Sequence, residues 1–346
     1  MKLSKVFCNV IIPTTQLSSL STAFDKSYSL IQEYSGEGFF NNFDFVHYEL
    51  PDHDSTWSWG NYVPRTEAQS KELVYTSPKS ASAFMHVDSH MRLEFNGHYR
   101  LPRRDTIRIE SKNSYTHGLF VFDIAHIPTG CATWPALWLL GSGKWPHKGE
   151  IDVIEGVHLS DNNGIAMHTT KDCRSHPLGD MEMCGTRMSS NCDSEAPKWE
   201  QHLNQGCSVE DPRDNSFGAG FNANGGGHYA MQWASEGIKI WFFPRGTEPE
   251  DIHSERPRPE GWGAPVSILT NRRCNIDTHF DNMRIVVNTA LCGDWAGNED
   301  VWANSGCGKL ADSCEEFVAR NPQAFKEAYW EIRGMRIFQE LEKSRG

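Results

Sequence analysis

No apolar run in this 346-residue chain approaches the roughly 20 residues that a membrane-spanning helix requires. Basic charge is scarce: 33 Lys and Arg stand against 45 Asp and Glu, for a net charge of −12. That balance excludes the usual electrostatic footprint of nucleic-acid or anionic-membrane binding, so neither partner is expected. The chain has no internal repeat, no Pro/Ser/Gly-rich linker and no composition break to divide it. One domain over residues 24–346 is the simplest reading, and a monomer is expected. There is no Asn-x-Ser/Thr sequon, and no two cysteines form the C-x₂-C pair of a structural zinc site.

Cysteine itself is not scarce. There are ten, with Cys173, Cys184, Cys192 and Cys207 close together in polar, loop-like sequence. Such usage implies disulfides and a secreted, extracellular protein. Residues 1–23 read as an imperfect signal peptide, basic at Lys2 and Lys5 and weakly apolar through Val10-Ile11-Ile12. Asn9, Pro13 and Gln16 interrupt it, and Ser21-Thr22-Ala23 offers the cleavage site. Cleavage after Ala23 removes Cys8 and leaves nine cysteines, an odd number.

Helical periodicity is sparse, whereas strand-like runs recur between turn residues. They include Met91–Phe95, Asp105–Ser111, Gly118–His126, Gly149–Val157, His228–Ala234, Gly237–Pro244, Met283–Thr289 and Arg333–Gln339. This pattern predicts an all-β sandwich rather than a βαβ sheet. Glu315–Asn321 and Gln323–Trp330 read as short helices, with Asn321 capping the second and Pro322 in its first turn. Residues 173–227 read as long loops stapled by disulfides.

Glu150-Ile151-Asp152-Val153-Ile154-Glu155 places three acids within a β-branched run. In a strand, successive side chains alternate between faces, so Glu150 and Asp152 share one. Glu155 rejoins them only if one extra residue is inserted, a β-bulge at Val153-Ile154. The chemistry that needs neighbouring carboxylates is glycoside cleavage, with one as nucleophile or base and the other as acid. Trp134, Trp138 and Trp145 precede the motif, and indole faces suit stacking on the C–H faces of sugars. The bland alternatives are an acidic solvent face and core tryptophans.

The segment Gly149-Glu150-Ile151-Asp152-Val153-Ile154-Glu155-Gly156 resembles the bulged, laminarinase-type signature of glycoside hydrolase family 16. Residues 130–138, 215–222, 237–246 and 288–297 resemble segments of its fungal endo-1,3(4)-β-glucanases, in the same order. The resemblance spans about Tyr28 to Gln339. It implies a concanavalin-like β-jelly roll of two curved antiparallel sheets, with a β-glucan substrate in a concave cleft and no cofactor or metal. It further implies Glu150 as nucleophile, Glu155 as acid/base, and Asp152 bonded to Glu150 and tuning it, in a retaining double displacement. Trp138 and Trp145 correspond to positions stacking on sugars on the non-reducing side, and Arg108 to a hydrogen-bonding position farther along. His168 corresponds to a histidine beside the acids on the next strand, and Trp295 to a wall on the leaving-group side. Without the resemblance, His168 reads as a core histidine, Arg108 as a surface charge and Trp295 as packing.

His86, His90 and His98 lack an acidic or thiol partner for a metal site. Asp161-Asn162-Asn163-Gly164 opens like a calcium loop but lacks the twelfth-position Glu, and reads as a turn. Two further functions stay open. The same chemistry run on a sugar acceptor gives a cell-wall transglycosylase, and a fold without activity gives a glucan-binding protein. Within the resembling family, enzymes restricted to mixed-linkage glucan carry the unbulged E-x-D-x-E, so the bulge favours β-1,3-glucan.

Overall fold

The structure, a computed structural model, describes residues 8, 27–48, 56–95, 103–177 and 182–341. Strands β1 to β9 are Tyr28–Ser35, Phe43–Phe45, Gly60–Tyr62, Val74–Ser77, Ser82–His86, Arg104–Thr106, Arg108–Tyr115, Gly118–His126 and Thr133–Gly141. Strands β10 to β18 are Glu150–Glu155, Gly164–His168, Thr186–Arg187, Cys207–Glu210, Gly227–Ala234, Gly237–Pro244, Ser267–Thr270, Met283–Leu291 and Tyr329–Glu340. Two eight-stranded antiparallel sheets face each other. One runs β16-β15-β14-β8-β18-β5-β4 with β1 also on β18, and the other runs β12-β13-β11-β10-β9-β17-β7-β2. A small parallel pair, β3 and β6, lies outside both.

Alternation along the strands decides which residues meet between the sheets. Leu137 and Leu139 of β9, Ile151 of β10, Val287 of β17, and Tyr229 and Met231 of β14 all enter one buried core. Their neighbours Trp138, Asp152, Asn288, His228 and Ala230 therefore face away from it, on the outer surfaces of the two sheets. Each large apolar side chain removed from water contributes about 1.5–3 kcal/mol, which holds the layers together. Among the described residues, no helix is long and apolar enough to cross a membrane.

Three local readings differ from expectation. Met91–Phe95 is no strand: it is an extended segment in which Leu93 is buried and its N–H donates to the Ala319 carbonyl at 2.9 Å. Docking against the Cys314–Arg320 helix satisfies its alternation without a sheet. The second expected helix shrinks to one turn, Pro322–Phe325, before β18 begins at Tyr329. Asn321 does not cap that turn with its side chain; its Nδ2 donates back to Phe317 O at 3.1 Å.

Five disulfides pair all ten cysteines: Cys8–Cys184, Cys131–Cys307, Cys173–Cys274, Cys192–Cys207 and Cys292–Cys314. The pairing is even because Cys8 takes part. The rest of residues 1–23, where the signal peptide was expected, lies outside the described residues. Residues 173–227 are mainly loops as expected, with β12, β13 and a short helix, Gly218–Ala223, among them.

Candidate active site

The acids stand on β10, at the centre of the second sheet. Opposite β9, Asp152 pairs with Trp138 and Ile154 with Leu137, so Val153 is the extra residue of a bulge. On the β11 side the register also shifts between Asp152 and Glu155. Val153 and Ile154 both enter the core, fully buried, and Glu155 returns to the outer face with Glu150 and Asp152.

A side chain not singled out as functional in the sequence holds this bulge. Asn163, fully buried in the loop before β11, accepts the Glu155 N–H at 3.0 Å and donates from Nδ2 to the Val153 carbonyl at 2.9 Å. The register shifts on both sides of the bulge, and Asn163 supplies a partner to each of these backbone groups. Its own N–H donates to Ser216 Oγ at 3.0 Å, and its carbonyl accepts the Asp211 N–H at 3.0 Å. The segment Asp161–Gly164 is thus a connecting loop whose Asn braces the strand.

Each outer glutamate accepts an indole N–H. Trp145 Nε1 donates to Glu150 Oε2 and Trp134 Nε1 to Glu155 Oε1, both at 2.8 Å. Asp152 is almost fully buried and, contrary to expectation, makes no hydrogen bond to Glu150; the group found against it is His168, whose Nε2 lies 3.2 Å from Asp152 Oδ2 and 3.9 Å from Glu150 Oε1. His168 lies directly across the ladder from Glu150. Two glycines let the backbone close in here. Gly149, at φ +78°, precedes Glu150 where a Cβ would meet His279 O at 2.5 Å. Gly206, at φ +61°, packs on His168, where a Cβ would meet Nδ1 at 2.8 Å. A residue with a side chain is strained at either position.

Burial, reinforced by the neighbouring acids, raises the proton affinity of Glu150 to a pKa of about 8. Desolvation alone raises Asp152 to about 8, and desolvation with the Asp152 charge raises Glu155 to about 8. The cluster therefore resists holding several negative charges together. The indole N–H groups and His168 work against this rise at both glutamates.

The other expected residues separate into two groups. Trp138 donates Nε1 to Asn288 Oδ1 at 2.8 Å, and Asn288 Nδ2 donates to Tyr62 OH at 3.0 Å. Arg108 is no surface charge. It is buried, its guanidinium lies 5.1 Å from the Trp138 ring centroid, and it pairs with Glu110 at 2.8 Å. Trp295, 37% exposed, meets Trp134 edge to face at 5.7 Å, on the Glu155 side. Trp145, also 37% exposed, lies 6.1 Å from the His168 ring, on the Glu150 side. Asn288 completes the constellation without having been assigned a role from sequence, and Trp134, read there as a stacking face, also holds Glu155.

His86 is stacked between Tyr75 and Tyr329, and His90 lies beyond the end of β5 rather than on it. His98 lies outside the described residues.

A jelly-roll sandwich with three acids on a bulged inner strand, walled by tryptophans, defines a carbohydrate-active class. The comparisons specify it. Residues 43–338 match the family described as XgeA-like, catalytic GH16 domain, so the chain belongs to glycoside hydrolase family 16. It is 40% identical over 321 residues to a probable endo-1,3(4)-β-glucanase of Aspergillus clavatus, covering 91% of this chain and 47% of that protein. The chain thus spans about half the length of that relative. Laminarinase 16A of Phanerochaete chrysosporium, solved with two β-glucans in its donor and acceptor sites, shares 37% identity and a TM-score of 0.82. The match covers 90% of this chain and all of that one. An elongating family 16 β-1,3-glucosyltransferase shares 35% identity and a TM-score of 0.78, again over 90% of this chain and all of that one.

Proposed function

We propose that this chain is a secreted endo-β-glucanase that cleaves β-1,3- or mixed β-1,3/1,4-glucans with retention. The observation that carries the reading is the bulge: it turns Glu155 back beside Glu150 and Asp152, and an indole N–H holds each glutamate. Glu155, protonated up to about pH 8, donates its proton to the glycosidic oxygen while Glu150 attacks the anomeric carbon. The cluster favours few charges, and we assign the ionised carboxylate to Glu150, beside the Trp145 N–H and nearer His168. Asp152 lies between them, against His168, and raises the proton affinity of both. In the second step Glu155 takes a proton from water as the water oxygen bonds to the anomeric carbon, which breaks that carbon's bond to Glu150 and frees the sugar.

Trp138 and Trp145 offer indole faces to sugars on the Glu150 side, and Trp295 with Trp134 walls the Glu155 side. Arg108 acts by backing Trp138. The bulged strand and the likeness to a laminarinase support β-1,3-glucan as the preferred substrate. The four disulfides within residues 24–346 support secretion. We read residues 24–346 as one catalytic domain, active as a monomer, without cofactor, nucleic-acid or membrane partner.

A second reading is favoured by the likeness to the glucosyltransferase: a sugar intercepts the Glu150 intermediate in place of water. Both are tested by product sizes and reducing-sugar release from laminarin and lichenan, with wild type, Glu150→Ser and Glu155→Gln. Hydrolysis predicts shorter oligosaccharides from wild type and a loss of at least about 10³-fold in Glu150→Ser. Products longer than the substrate, growing with substrate concentration, establish transfer. Binding to both glucans without any cleavage overturns the enzyme reading in favour of a glucan-binding protein.

A further inference from the structure

On the other sheet, away from the acids, a second cluster is unexplained by glycan cleavage. His228 of β14 is 1% exposed, and neither ring nitrogen has a hydrogen-bond partner. Its Nδ1 lies 3.5 Å from Glu248 Oε1, and its Nε2 lies 3.4 Å from Asp123 Oδ2 on the adjoining β8. The ring of His253 approaches edge to face, with centroids 4.9 Å apart. One nitrogen from each histidine and one Glu248 oxygen all lie within 4.8 Å of one another. The second Glu248 oxygen is also buried without a hydrogen-bond partner.

The 3.5 Å between His228 Nδ1 and Glu248 Oε1 is long for a hydrogen bond but matches another geometry. Four ligands at about 2.0–2.1 Å around a tetrahedral ion stand about 3.3–3.5 Å apart. We propose that His228, Glu248 and His253 bind a divalent cation of the zinc class, on the outer face of the sheet opposite the one that bears Glu150.

The donor set suits this ion. Two imidazoles and one carboxylate are borderline ligands that favour zinc, whereas calcium needs six or more oxygens. Asp123 faces the far nitrogen of His228 and is itself held by Arg245 Nη2 at 2.6 Å. A carboxylate behind a ligating histidine fixes its ring and tautomer. His253 is exposed, which gives the ion a route in.

The fold explains why the ligands meet. The chain leaves β15 at Pro244 and turns back over the sheet, where Ile252 packs with Val121, Ala230 and Trp241. A bound ion would fasten this returning segment to β14, independently of the glucanase reading.

The test is calorimetric titration of the chelator-treated full chain with zinc chloride near pH 7, with thermal unfolding in parallel. Wild type should show saturable binding and, at about 100-fold excess over Kd, a Tm rise of about 4 °C. His253→Ala removes an exposed ring, so it should fold and keep wild-type glucan cleavage, yet lose at least tenfold in zinc affinity and the Tm rise. Glu248→Gln should weaken binding likewise. Absence of saturable binding in wild type overturns the proposal, leaving His228 as a ring between two carboxylates. Undiminished binding in His253→Ala also overturns it, by placing the ion elsewhere, such as at Glu150, Asp152 and His168.

Discussion

Replacing Asn163 by Ala should damage both stability and catalysis without touching any carboxylate. The variant deletes the acceptor of the Glu155 N–H and the donor to the Val153 carbonyl. Both groups then stay buried and unpaired, at about 1–3 kcal/mol each. Partial relaxation and water entry reduce the sum, so about 2–4 kcal/mol is expected in urea unfolding. The catalytic effect follows from the same bonds. Freed from Asn163, the bulge can slide, and a displacement of Glu155 by about 1 Å costs about 10²-fold in rate. The loss should appear in kcat, with KM for laminarin nearly unchanged, because Trp138 and Trp145 are held independently of Asn163. A merely structural role predicts lower Tm with normal kcat at a temperature where the variant is fully folded. A variant with wild-type kcat and less than about 0.5 kcal/mol of destabilisation refutes the bracing argument altogether.

Asp152→Asn should stabilise the fold at neutral pH while lowering activity. A carboxyl whose folded pKa is raised adds stability below its unfolded pKa and loses it as pH climbs toward the folded value of about 8. At pH 7 the penalty removed is at most about 4 kcal/mol, and the gain in Tm should vanish near pH 3. Removing the Asp152 charge also relieves both glutamates, so the kcat/KM profile should move toward acid. Trp145→Phe takes away a bond that favours ionised Glu150, which should shift the acidic limb upward; Trp134→Phe should do the same to the alkaline limb through Glu155. If either variant moves the opposite limb, the assignment of nucleophile and acid is reversed. Replacing Cys192 and Cys207 by Ala opens a loop of 15 residues and should cost about 3 kcal/mol in denaturant unfolding.

The parts of this architecture that repeat with period two were legible in the sequence. Gly118–His126 and Gly237–Pro244 have the predicted bounds, since buried strands carry apolar runs between turn residues. The bulge was legible because three acids on one face require an odd residue between them. Asn163 was not, because Asp161-Asn162-Asn163-Gly164 has ordinary turn chemistry and its role depends on which strand it meets. Met91–Phe95 misled for a related reason: alternation reports which side chains are buried, not what backbone lies alongside. Arg108 and Trp138 were read as separate contacts, whereas packing joins them as one stacked pair. His228, Glu248 and His253 follow no motif spacing, and only the return of the chain after β15 brings them together.

The burial of both Val153 and Ile154 constrains how such an active site changes over generations. Deleting one codon here would give the unbulged spacing in a single genetic step. That deletion would also withdraw one full aliphatic side chain from between the sheets. The resulting void costs roughly 2–4 kcal/mol, a large share of the stability of an ordinary domain. Lineages should therefore cross between the two spacings only after neighbouring core positions have enlarged, which makes the length of this motif a slow character, inherited with its core rather than gained by itself.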